Sequence, residues 1–236
     1  MPTLSIVIPI GPGDDSWRSL LLNLQDLGGT KTSLEVLLIG AHLAPLDFET
    51  LKKTYPWPLN WLESIQGRAL QMNVGAKTAR GQFLWFLHSD SRLDVALDQV
   101  ISELQDSPAD RLLFFNLNFH DGSILMKLNE IGVWFRSRIL GLPFGDQGFL
   151  LSRSLFFTLG GFDEVASFGE DHLFVWQARM KKVPVKGSRF WISTSARKYR
   201  DRGWRQITTR HLFLTVKQGG PLYLKWAGKR LQELFK

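Results

Sequence analysis

The sequence predicts an α/β domain built on a single, mostly parallel sheet flanked by helices. Three observations lead there. Short, almost wholly apolar runs occur at Leu4–Ile10, Leu34–Ile39 and Phe83–Leu87, amphipathic stretches lie between them, and glycine or proline marks most junctions. Strands buried on both faces read as continuous apolar runs, and parallel neighbours need helical crossovers. At 236 residues the chain is long enough for one well-buried core and short for two.

Each element follows from its own pattern. Leu4 to Ile10 is a strand closed by Pro9, Gly11 and Pro12. Ser16 then offers an N-cap, and Leu20, Leu21, Leu24 and Leu27 recur at helical spacing until Gly28-Gly29. Leu34 to Ile39 ends at Gly40 and is followed by a loop and the periodic stretch Phe48 to Tyr55. Leu59 to Leu62 fits a third strand, and Ala69 to Ala79 a helix ended by Gly81. Phe83 to Leu87 is the most apolar strand, and polar His88-Ser89-Asp90-Ser91 begins abruptly at its carboxyl end, where open parallel sheets bind ligands.

Beyond it, Leu112 to Phe119 reads as a strand, Ile124 to Leu140 as a helix and Phe149 to Leu151 as a short strand. Leu155 to Leu159 is a helix stopped by Gly160-Gly161. The run Leu173, Val175, Trp176, Met180 predicts a helix opened by Glu170-Asp171, acids at the end its dipole favours. The last thirty or so residues read as two amphipathic helices separated by Gly219-Gly220-Pro221.

Composition narrows the chemistry. Cysteine is absent, so any metal sits on oxygen or imidazole. The amino terminus has no basic segment or small-residue cleavage site, and no apolar stretch approaches the roughly 18 residues that span a bilayer. The expected location is the cytoplasm. The net charge is +7 and the pI about 9.8, with the excess after Arg179 at Lys181, Lys182, Arg197, Arg200, Arg205 and Arg210. Such an end suits a phosphorylated substrate, an anionic membrane surface, nucleic acid or simply a solvated face.

Four polar clusters carry candidate chemistry. Asp90 at a strand mouth can bind Mg²⁺ or Mn²⁺ that shares a diphosphate, or cap the next helix. His88 can be a metal ligand, a phosphate donor or a satisfied strand-end histidine. Glu170-Asp171 can take a proton from an attacking hydroxyl or serve as capping acids. Gly67-Arg68, with Gln71, Asn73 and Gly75 following, suits an anion at a helix start or a surface arginine. Gly145-Asp146-Gln147 is a tight turn or a contact to sugar hydroxyls.

In their order these segments resemble family 2 glycosyltransferases of the GT-A fold. The resemblance rests on Ser5-Ile6-Val7-Ile8-Pro9, Gly67-Arg68-Ala69 through Gly75-Ala76, Phe86-Leu87-His88-Ser89-Asp90, Gly145-Asp146-Gln147, Gly160-Gly161-Phe162 and Glu170-Asp171. The His-x-Asp spacing and Thr194-Ser195-Ala196-Arg197 are most similar to the arsenosugar-biosynthesis branch. Several motifs in one order are more specific than any one alone. The resemblance covers about Leu4 to Gly203, which implies a catalytic domain over residues 1–203 and a basic helical extension over 204–236, packed on the domain or on the inner membrane face.

It implies an inverting transfer from a nucleotide-sugar donor to a hydroxyl acceptor, with no nucleic-acid partner. Asp90, with His88, matches the metal motif, and Asp171 the catalytic base, with Glu170 the second choice. Pro9, Arg68, Asn73, His88, Ser89, Arg197 and Arg200 fall on the donor side, and Gly145, Asp146 and Gln147 on the acceptor side. Two departures stand out. Gly40 lies where the family often carries the acid that reads the base, and Gly11-Pro12-Gly13 replaces the usual pair after the first strand. Alternative readings are a non-catalytic nucleotide- or carbohydrate-binding module and a nucleotidyltransferase; the acidic Asp14-Asp15 counts against the last.

Overall fold

A computed structural model describes residues 3–29, 33–105, 110–121, 124–166 and 168–234. The first half alternates as the sequence predicts: β1 (Leu4–Ile10), α1 (Ser16–Leu27), β2 (Leu34–Gly40), α2 (Phe48–Thr54), β3 (Leu59–Glu63), α3 (Arg68–Thr78) and β4 (Phe83–Phe86). Next come β5 (Arg92–Leu93), α4 (Leu97–Gln105), β6 (Leu112–Phe119), α5 (Ile124–Trp134), a π-helical turn (Phe135–Ile139) and a 3-10 turn (Gly145–Gln147). The chain continues with β7 (Phe149–Ser152), α6 (Arg153–Leu159), α7 (Glu170–Met180), β8 (Val185–Thr194), α8 (Arg197–Arg202) and α9 (Trp204–Leu234).

The strands form one sheet in the order β3-β2-β1-β4-β7-β6-β8-β5. Its first four strands are parallel, but β7 runs antiparallel to both β4 and β6, and β5 antiparallel to β8. Six of the eight strands therefore run one way, as expected of a mostly parallel sheet, and only β7 and the short edge strand β5 are reversed. The pleat sorts side chains by parity: Leu4, Ile6, Ile8 and Ile10 join α1 in one core, while Val7 meets α3, α6 and α7 in the other.

A buried polar contact crosses this apolar sheet. Ser5 and Glu35 are register partners; Ser5 Oγ donates to Glu35 Oε1 at 2.6 Å, which also accepts the Arg80 N–H at 2.6 Å. Ser5 Oγ in turn accepts the Gly81 N–H at 2.8 Å.

Several local expectations are corrected. Ser16 is the first helical residue rather than the cap, and its N–H goes to Asp14 Oδ1 at 3.0 Å. The stretch from Ile124 leaves α-geometry after Trp134, where the Leu140 N–H reaches back five residues to the Phe135 carbonyl. The two expected C-terminal helices are one: α9 runs through Gly219-Gly220 with Pro221 inside it. Proline removes one helical donor there, but Gly219 is buried against His172 and the helix is held by α7, so packing overrides the breaker signal. Strand β8 goes unread because its apolar residues do not alternate cleanly and only Ser188, Ile192 and Thr194 are buried. Among the described residues no helix is long and apolar enough to cross a membrane.

Candidate functional site

The carboxyl ends of β1 and β4 and the start of α3 enclose a cavity of about 230 Å³ lined by Pro9, Asp14, Arg68, His88, Ser89, Asp90 and Arg197. Asp90 and Arg197 also line a second cavity of about 500 Å³, which opens toward Ser16, Asn23 and Asp26 of the α1 side and toward His120 and Ser195. The two form one polar cleft with Asp90 at the junction. No helix starts at Asp90; it lies in the turn closed by Ser91 N–H to the His88 carbonyl at 3.1 Å, and β5 follows. The capping role therefore does not apply.

Asp14 shapes the near wall. Ser89 Oγ donates to its Oδ2, joining the loop after β1 to the end of β4. Burial pushes the Asp14 carboxyl upward, but the bonds from Ser89 and Ser16 and the charge of Arg197 outweigh it and hold it below the usual carboxylate range. Gln71, buried on α3, donates to the Ile10 and Ile39 carbonyls at 2.8 and 2.7 Å and pins the ends of β1 and β2 under the cleft.

Arg68 is the link between halves. Its Nη2 donates to His88 Nε2, so that nitrogen carries the lone pair. Its Nε lies 3.3 Å from Glu170 Oε1, at the start of α7. His88 thus meets Arg68 through Nε2 just past the end of β4.

Glu170 is thus committed to an ion pair, whereas Asp171 is aimed differently. Asp171 Oδ2 accepts the Gly145 N–H at 2.6 Å, and Oδ1 accepts the His172 N–H at 2.7 Å. Gly145 fits a gap that no side chain shares: a Cβ there would lie 2.7 Å from Arg68 Nη2 and 3.1 Å from Asp171 Oδ2.

Three sequence-selected residues turn out to brace the site rather than face it. Asn73 Nδ2 donates to the Phe162 carbonyl and Glu164 Oε1, and its Oδ1 accepts the Phe162 N–H, so it holds the loop before α7 and does not line the donor cleft. Gln147 is fully buried, bonding the Phe115 carbonyl at 3.0 Å and the Phe144 N–H at 3.2 Å, and offers nothing to an acceptor. Arg200 pairs with Asp121 Oδ2 at 3.2 Å; Asp121 also accepts the Ser195 hydroxyl and Ala196 N–H at the start of α8. Arg197, not Arg200, reaches the cleft. Asp146 is half-buried in the turn beside Asp171.

Sequence reasoning missed Arg136. The π turn carries its guanidinium inward, 3.3 Å from the Phe144 ring centroid and 3.5 Å from Gln147 Oε1. Burial draws its proton affinity down, against the opposing fields of Asp146, Asp171 and Tyr199. Burial, with the charge of Asp146, pushes the Tyr199 hydroxyl up to about 12. The available signal was the pair Arg136 and Arg138 interrupting the mostly apolar stretch 131–140, just ahead of Gly145.

Position 40, where the resembled family often carries an acid, has no room for a side chain. A Cβ there would run into the Trp61 indole, whose Nε1 donates to the His42 carbonyl at 3.0 Å and whose ring packs on Trp17 and Phe48.

No protein-family model matches the chain, and no curated protein matches it in sequence. Solved structures do. TarS of S. aureus superposes with a TM-score of 0.63 at 17% identity over 83% of this chain and 37% of its own. TarS 1-349 gives 0.63 at 18% identity, over 83% of this chain and 60% of its own. The mannosyltransferase PcManGT from Pyrobaculum calidifontis, in complex with GDP-Man and Mn²⁺, gives 0.62 at 14% identity, over 82% and 57%. The chain spans 37% to 60% of the lengths of these proteins. The shared fold is of the GT-A type.

Proposed function

We propose that the chain is an inverting glycosyltransferase of family 2 type, assisted by Mg²⁺ or Mn²⁺, that moves a sugar from a nucleoside-diphosphate donor to a hydroxyl acceptor. The observation that carries this reading is the linkage through Arg68. It lines the Asp90 cleft, contacts His88, pairs with Glu170 and lies beside the Gly145–Asp171 contact. A diphosphate-sized polar cleft and an oriented carboxylate are thereby parts of one site. The likeness to a mannosyltransferase bound to GDP-Man and Mn²⁺ supports a nucleotide-sugar donor and a divalent cation.

The residues present suit such a cation. Asp90 offers oxygen in a cavity shared with Asp14 and Ser89, and among the described residues no group of three or more His, Cys, Asp or Glu could hold a metal unaided. Mg²⁺ and Mn²⁺ are commonly held by one or two carboxylates together with substrate phosphates. When bound, the cation supplies charge neutralisation to the departing diphosphate.

The protein's own groups supply the rest. Arg68 and Arg197 attract the diphosphate, and Asp171, with one oxygen fixed by Gly145, takes the acceptor proton as the hydroxyl attacks the anomeric carbon. Arg136 and Asp146 surround the acceptor side. The base is recognised without a carboxylate at position 40. Residues 1–203 form the catalytic unit and 204–236 its extension, and the motif order points to arsenosugar biosynthesis as the context. Calorimetric titration of nucleoside diphosphates with and without Mn²⁺ tests the donor site: tighter binding of at least one in Mn²⁺ is expected, and metal-independent or absent binding across the panel sinks the reading.

A further inference from the structure

Helix α5 and the π turn reverse the pattern of a solvent-facing helix. Leu128, Ile131, Phe135 and Ile139 recur at helical spacing and are 50% to 64% exposed, joined by Trp134 and Leu140 at 49%. Two of the segment's three cations, Arg136 and Arg138, turn inward, while Lys127 near its start is exposed and pairs with Glu130. Arg138 donates to Asn116 Oδ1 and to the Gly187 and Ser188 carbonyls, and Arg136 lies over Phe144. A contiguous exposed apolar ridge of this kind marks an interaction surface.

We propose that this ridge docks on the surface of an anionic lipid bilayer. Charge selects the occupant. The sequence of α9 holds Arg205, Arg210, Lys217, Lys225, Lys229 and Arg230 against the single acid Glu233, and of these Lys217 and Lys225 are exposed in the structure. It is joined to α5 where Thr208 Oγ1 donates to Asn129 Oδ1 at 3.4 Å, and it exposes Phe213 close by in sequence. An apolar helix face beside a basic helix matches the two components of interfacial binding, buried apolar area and attraction to anionic head groups. A second copy of the chain is the poorer partner, because each copy brings a net charge of +7. Trp134 is a side chain suited to the head-group level.

The contact surface is therefore α5, with α9 as its electrostatic flank, rather than the tail alone. The ridge ends at Leu140, five residues before Gly145, so the bilayer would lie on the acceptor side of the chain. The docking claim itself rests on surface chemistry and not on the transfer reaction.

The test is co-sedimentation of the full chain with vesicles of phosphatidylcholine plus phosphatidylglycerol, and of phosphatidylcholine alone. Binding to the mixed vesicles is expected to exceed binding to phosphatidylcholine and to weaken with salt. The double variant Leu128→Glu, Ile131→Glu is expected to bind roughly tenfold more weakly or worse, given the transfer energy of one buried aliphatic side chain. Its thermal midpoint and its nucleotide binding are expected to match wild type, which separates failure of docking from failure of the donor site. Absence of binding to the mixed vesicles, equal binding to both vesicle types, or undiminished binding by the variant overturns the proposal. A wild-type dimer in light scattering that the double variant splits also overturns it, by assigning the ridge to a second copy.

Discussion

Asp171 and Gly145 are joined by a 2.6 Å hydrogen bond from the glycine N–H to carboxylate Oδ2, tying the first turn of α7 to the 3-10 turn ahead of β7. That bond leaves the carboxylate lone pairs enough room to accept a proton while removing its freedom to rotate. Asp171→Asn keeps an oxygen for the Gly145 contact but cannot act as a base. Transfer should fall by about 10² to 10⁴, with metal-dependent nucleotide binding nearly unchanged. Wild-type turnover in this variant, measured with the true substrate pair, would show the base assignment to be wrong.

Gly145→Ala places a methyl 2.7 Å from Arg68 Nη2 and 3.1 Å from Asp171 Oδ2. Both functional groups must shift, and a displacement near 1 Å at such a site costs on the order of 10²-fold in rate. The expected signature is a drop in kcat larger than any change in KM, read by steady-state kinetics.

Asp90→Ala should make nucleotide binding indifferent to Mn²⁺, with equal affinities in metal and in chelator. Arg68→Ala should weaken binding under both conditions, because it removes one of the two arginines at the cleft and leaves His88 and Glu170 without their shared partner. Calorimetry on the two variants distinguishes the roles; a full Mn²⁺ response in Asp90→Ala would remove that residue from the metal site.

His172 makes stability depend on pH. It is buried, its Nδ1 facing Gln218 Oε1 at 3.1 Å and its Nε2 accepting Trp176 Nε1–H at 3.0 Å, so the neutral ring joins α7 to α9. Burial holds its pKa below 6.5, against the Gln218 bond and the Asp171 charge. The unfolded chain then binds more protons, so the contribution is fully present above pH 6.5 and declines as pH falls toward the depressed folded value. Urea melts across this range should show the loss, and His172→Gln should flatten it.

Gly40→Asp restores the acid common in the resembled family but drives a side chain into Trp61. Overpacking of this kind costs about 1 to 3 kcal/mol. A lowered urea midpoint with no gain in nucleotide affinity is expected.

The parallel half of the sheet was legible because strands buried on both faces leave uninterrupted apolar runs, as in β1, β2 and β4. Beyond β4 that signal fades. Strand β8 keeps only three buried positions, and α4 is marked only by the short stripe Leu97, Val100 and Leu104. At the site, Arg68, Ser89, Asp90 and Arg197 come together at one cleft. The resemblance implies donor and acceptor roles for Asn73, Gln147 and Arg200, yet their polar atoms are spent on the Phe162 loop, the Phe115 carbonyl and Asp121. A sequence shows which residues have donors and acceptors, not where they are used. The inward arginine of the π turn was hidden because helical periodicity changes there by one residue.

The Ser5–Glu35 contact has a consequence for how the chain finds its alignment. Strands as uniformly apolar as β1, β2 and β4 would pack almost equally well if one slid along another, since every shift still buries aliphatic carbon. A slide of one residue, however, would part Glu35 from Ser5 and from the Arg80 N–H and strand its carboxyl group in hydrocarbon, at a cost of several kcal/mol. One buried hydroxyl and one buried carboxyl thus act as a key cut for a single position of the lock. The loops that carry Asp14 and Asp90 come level at the sheet edge only in that position.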